Sequence, residues 1–111
     1  MKLTEQSIEM TLHVFDTEIG VTEWALVVRK ASPKCWVALR TWVAEGRMPG
    51  AFMQALIRND LAAASQRADA VNARYLSLWG KVIGQLPSGC WGSTSTMADW
   101  AEAHKEVRTN V

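Results

Sequence analysis

The sequence predicts a mainly helical α+β fold, with an N-terminal β-hairpin followed by about four short helices in one domain spanning residues 1–111. Three observations lead there. Ile8, Met10, Leu12 and Val14 alternate with polar neighbours, the period-two pattern of a half-buried strand, and Val21 to Val28 is a second run rich in β-branched and aromatic types. From Ser32 onward, helix starts and stops punctuate segments of helical periodicity. A chain of 111 residues buries roughly two-thirds of its unfolded surface on folding, so one core suffices without staples.

In chain order, residues 1–30 read as the hairpin, with Asp16 to Gly20 as its turn. Helix competes with this reading, because Ile8, Leu12, Phe15 and Ile19 also fall at helical spacing; the alternative is an all-α bundle. A lone hairpin is marginal in water, so it must lie on the helices or pair with a second copy of itself. Residues 31–108 form the helical part. Ser32 and Pro33 make an N-cap and first-residue pair, and Gly46 is the C-terminal stop. Pro49 opens a second helix with Phe52, Met53, Leu56 and Ile57 inward. Asn59 interrupts it, and Asp60 caps a third. That helix carries an apolar stripe through Val71, Tyr75, Leu78, Val82 and Leu86 and ends at Pro87. Gly80 inside it calls for a packing reason such as a neighbouring Trp ring. A compact turn through Cys90 and Trp91 follows, and the last helix starts near Thr96, which has capping-box spacing to Asp99. Thr109 to Val111 should fray.

Composition bounds the function. Hydrophobic residues at 49% and charged residues at 21% exclude a disordered chain. Six Trp are a surplus that points to core edges or an interface. Cys35 and Cys90 lack zinc-ligand spacing, no stretch approaches a membrane span, and residues 1–7 lack the apolar core of a signal peptide. A cytoplasmic protein with reduced thiols is expected, holding no cofactor or metal.

The succession Pro49, Gly50, Phe52, then Asn59, Asp60, Leu61, then Ala64, Ala68, Asp69, Asn72, Trp79, and finally Pro87, Cys90, Trp91, Gly92, Ser93 and Trp100 resembles a group of small uncharacterised proteins of tailed phages and prophages. It covers roughly residues 36–104, with Asn-Asp-Leu and Cys-Trp-Gly-Ser as its most specific parts. The resemblance implies a phage accessory product with a variable N-terminal extension, and it implies no activity.

Candidate sites each have a bland reading. Cys90, with His13 or His104 as base, would be a nucleophile, but no third member or oxyanion donor is identifiable. Asn59, Asp60 and Asp69 suggest a metal less well than they suggest caps and solvated surface, and His104 reads as a packed histidine. Trp91 reads as structural. Charge is more informative: residues 1–28 carry −4, residues 29–81 carry +6, and the remainder −1. Arg67, Arg74 and Lys81 recur every seven residues, which on one helix sets them on a common face. The expectation is a non-catalytic accessory protein that binds an acidic surface of a host protein through these three residues. An inhibitor of a host defence system such as CRISPR interference is one form of it. The alternative is a small DNA- or RNA-binding protein using the same basic face, and a two-fold homodimer is a further expectation from the apolar hairpin and the surplus Trp.

Overall fold

The N-terminal segment is helical. The computed structural model describes residues 3–109, and among them there are eight α-helices and no strand, so the all-α alternative holds and the hairpin does not. Residues 8–14 lie in α1 (Glu5–Val14) and residues 23–28 in α2 (Glu23–Ala31). Local capping decides the competition between the two periodicities. Thr4 Oγ1 accepts from the Ser7 amide at 3.1 Å while Ser7 Oγ accepts from the Thr4 amide at 2.8 Å, a reciprocal capping box that starts α1. Thr22 accepts from the Ala25 amide and starts α2. Met10, an inward residue of the expected strand, is 64% exposed, whereas Phe15 and Ile19, on the helical stripe, are buried.

The expected turn at residues 16–20 is a π-helical turn, Phe15–Ile19, that continues α1 and closes with the Gly20 amide donating to the Phe15 carbonyl at 2.7 Å. A Cβ at residue 20 would lie 3.1 Å from that carbonyl and 3.4 Å from the Trp36 ring. Close approach therefore favours glycine here. Asp16, on the same turn, takes a bidentate hydrogen bond from Arg40 at 2.9 and 2.8 Å, tying the turn to α3 (Pro33–Glu45).

Pro33 opens α3 and Gly46 ends it in the left-handed conformation, φ +70°, its amide donating to Trp42. The next helix, α4 (Ala51–Ile57), begins two residues after Pro49, with Gly50 as N-cap. Asn59 then adopts φ +64° to stop it, and Asp60 accepts from the Ala63 amide to start α5 (Leu61–Arg67). The single helix expected from Leu61 to Leu86 is three. Asp69 accepts from the Asn72 amide at 2.8 Å and starts α6 (Ala70–Arg74), and Tyr75 separates this from α7 (Leu76–Ile83). A competing side-chain acceptor lets the backbone restart the helix in a new direction. Val71 consequently lies exposed and Asn72 and Trp79 go inside. Finally α8 (Thr94–Thr109) is capped by Ser93, whose hydroxyl accepts from the Thr96 amide at 3.1 Å, not by the Thr96 and Asp99 pair. Fraying expected of Asn110 and Val111 lies outside the described residues.

One aromatic spine joins the halves. Phe15 stacks on Trp36 with centroids 5.0 Å apart, Trp36 on Trp79 at 6.5 Å, and Phe52 meets Trp79 edge-on at 6.3 Å. At the other end of α3, the fully buried Trp42 donates its indole N–H to the Cys90 carbonyl at 2.9 Å, and its own carbonyl accepts from the Trp100 indole at 3.0 Å. Half-buried Trp91 donates to the Leu86 carbonyl at 3.1 Å, and the neighbouring Gly92 amide donates to Ile57, so this turn is sewn to α4 as well as to the end of α7. Most of the surplus tryptophan is thus core, and the N-terminal helices pack into the same core through α3 and α7.

Two glycines separate backbone need from helix propensity. At Gly46 an added Cβ would need a positive φ and would approach His104 Cβ to 2.8 Å, whereas at exposed Gly80 it would meet nothing within 4 Å, so no neighbouring ring explains that glycine. Gly46→Ala should lower stability by about 1–3 kcal/mol, and Gly80→Ala should raise it by about 0.5–1 kcal/mol. Urea midpoints of the two variants check this, and equal signs would contradict it.

Candidate functional site

Breaking one long helix into three changes what the seven-residue recurrence means. Arg67, Arg74 and Lys81 each lie in the last turn of a different short helix, α5, α6 and α7, where the negative helix end favours a cation. The repeat measures helix length, and the common-face arithmetic of a single helix does not apply. All three are exposed. The Arg74 guanidinium lies 5.6 Å from the Tyr75 ring centroid, and the Lys81 ammonium lies 5.2 Å above Trp24 of α2. Both cations are steadied by aromatic faces.

Arg67 has different company. It lines an open cleft of about 290 Å³ together with Lys34, Cys35, Gly50, Asp69 and Asn72. Lys34 and Cys35 belong to the first turn of α3, which contains no acidic residue and no side-chain cap. Asn72, 4% exposed, holds the inner wall: its carbonyl oxygen accepts from the Trp79 indole at 3.1 Å and its amide donates to Cys35 Sγ at 3.5 Å. The sequence flagged Arg67 and missed Lys34, Gly50 and Asn72. A legible signal existed, since a lysine in the first helical turn opposes the helix dipole.

Few of the described basic residues are ion-paired. Among the described residues, ion pairs join Asp16 to Arg40, Glu45 to Arg47 and Asp60 to Arg58. Lys34, Arg67, Arg74 and Lys81 take part in none of them. The acidic N-terminal segment therefore meets the basic middle segment through Arg40 and leaves the other cations uncompensated by contact.

The remaining candidates resolve into structural roles. Cys90 is fully buried, and burial pushes its thiol up to about 12, which removes the thiolate a nucleophile requires. Asp60 and Asp69 are helix caps, and among the described residues no group of three or more His, Cys, Asp or Glu could hold a metal ion. No helix is long and apolar enough to cross a membrane, again among the described residues. His104, 2% exposed, packs edge-on against Trp100 at 4.8 Å, with its Nε2 lacking a hydrogen-bond partner. Burial, reinforced by the Arg108 charge, holds its pKa below the usual value, against smaller opposing effects of the Val43 carbonyl and Glu45. No family model, no curated protein and no solved structure matches the chain.

The depressed His104 gives a stability profile with a definite sign. The unfolded chain binds the His104 proton near 6.5 and the folded chain only at lower pH, so stability should be complete above about 6.5 and fall as pH drops through the interval between the two values. Asp16, held low by the Arg40 hydrogen bond, acts in a separate window below 3.8. Denaturant midpoints from pH 7.5 to 5 should fall for the wild type and flatten for His104→Gln. Equal slopes would assign the fall to other groups.

Proposed function

We propose that the chain is a non-catalytic binding protein that docks on an acidic surface of another protein through the cations of α5, α6 and α7, joined by Lys34. The observation that supports this is the exposure of Arg67, Arg74 and Lys81 without an ion-pair partner, in a chain whose net charge is only +1. Exposed ion pairs contribute about 0–1 kcal/mol each, so the fold gains little from segregating charge. A partner steered by that field gains association rate.

The resemblance to small proteins of tailed phages and prophages would make the chain a phage accessory product and its partner a host protein. A component of a defence system such as CRISPR interference is the kind of target such a product blocks. A nucleic acid backbone offers the same negative charge, but the sequence pI near 7.8 weighs against it. The dimer expected from an unpartnered hairpin loses that ground, because those residues are helices packed on α3 and α7. Docking of one chain on its partner is the simpler arrangement.

The triple reversal Arg67→Glu, Arg74→Glu and Lys81→Glu tests the docking face. Immobilised wild-type chain in nuclease-treated host lysate should retain a protein at low salt that the triple variant loses, with the variant still folded by circular dichroism and a difference that narrows as salt rises. Retention of the same protein by the variant at the same level would contradict the proposal. So would a wild-type partner that disappears with nuclease.

A further inference from the structure

We infer that the cleft between the first turn of α3 and the α5 to α6 junction is the anchoring pocket of this docking face, and that it takes one acidic side chain of the partner with an adjacent apolar one. The inference rests on the docking reading and adds to it the pocket and the chemistry of its occupant. Three features of the cleft suit such an occupant.

The first is charge. Lys34 stands at the positive end of the thirteen-residue α3, which supplies no acidic residue and no side-chain cap there, and Arg67 lines the same cleft. Two cations and a helix end of the same sign repel one another until an anion enters. The Asp69 carboxylate lies in the same lining but forms no ion pair with either cation.

The second is Gly50. Its φ of −67° is open to any residue, and a Cβ there meets nothing within 4 Å. Glycine at this position leaves empty space on the cleft wall that a side chain would occupy. The third is the lining, in which the polar Asn72 amide and the apolar Phe52 and Ala38 share one cavity. At about 290 Å³ the cleft is at the lower limit of ligand pockets, which run about 300–1,000 Å³, so it suits one or two side chains better than a cofactor.

Titration of the ¹⁵N-labelled full chain with acetyl-Glu-Leu-amide tests the pocket. The expected result is saturable shifts at the Gly50 backbone and Asn72 side-chain amides, with the uncharged acetyl-Gln-Leu-amide binding about tenfold more weakly. Gly50→Leu should weaken the Glu peptide by about tenfold with the fold retained and melting lowered by the poorer helix cap; if that variant does not fold, the pair Lys34→Gln and Arg67→Gln decides in its place. Equal binding of the two peptides, or undiminished binding to the folded variants, overturns the inference. Shifts confined to the neighbourhood of Arg74 and Lys81 overturn the pocket while leaving the docking face standing. Failure of the docking face shows instead in the triple charge reversal.

Discussion

The fold depends on the burial of the Trp42 and Trp100 indoles with both N–H groups answered. The two rings are buried, so an unpaired indole N–H there would cost about 1–3 kcal/mol. The Cys90 carbonyl answers Trp42, and the Trp42 carbonyl, which also holds the Gly46 amide, answers Trp100. Each partner comes from a segment far along the chain, the turn after α7 and the last helix. Satisfying these two indoles therefore ties α3 to both segments. The same logic recurs at Trp79, whose indole selects the Asn72 carbonyl and leaves the Asn72 amide facing Cys35. Tight packing at Gly46 against His104 closes the set, because α8 can approach α3 only where a side chain is missing.

That core leaves the basic face out of the fold. Helices of five to eight residues, as α5, α6 and α7 are, multiply helix ends, and every C-terminal end favours a cation in its last turn. Charge gathers in this region for a local reason before any partner is considered. What the local reason does not supply is Lys34, which stands at the wrong end of its helix. The functional reading rests on this departure and on the exposure of the cations.

Punctuation in the helical part was legible. Pro33 and Gly46 bracket α3, Asn59 and Asp60 stop one helix and start the next, and the turn after Pro87 lies where its composition puts it. The N-terminal helices are ambiguous in the sequence because residues 8–14 satisfy two periods at once, and only the Thr4 and Ser7 capping box distinguishes them. Asp69 reads in the sequence as solvated surface, and it is the cap that breaks the expected long helix. With that helix intact, Arg67, Arg74 and Lys81 looked like one stripe. Their separation, and the pairing of Arg67 with Lys34 across a cleft, are tertiary facts that no single-segment pattern carries. Gly50 figures in the sequence only as part of the pattern that carries the resemblance, since open space beside a Cβ appears only once the neighbours are placed.

The account's central claim is that Trp42 and its two partners make one cooperative unit of α3, the Cys90 turn and α8. Native-state hydrogen exchange of the tryptophan indole protons in low urea measures this directly. The account predicts that the Trp42 and Trp100 indole protons exchange through the same opening, with equal free energies and equal urea dependence, matching global unfolding. A Trp100 proton that exchanges well before Trp42, with little urea dependence, would mean that α8 detaches independently and would contradict the claim.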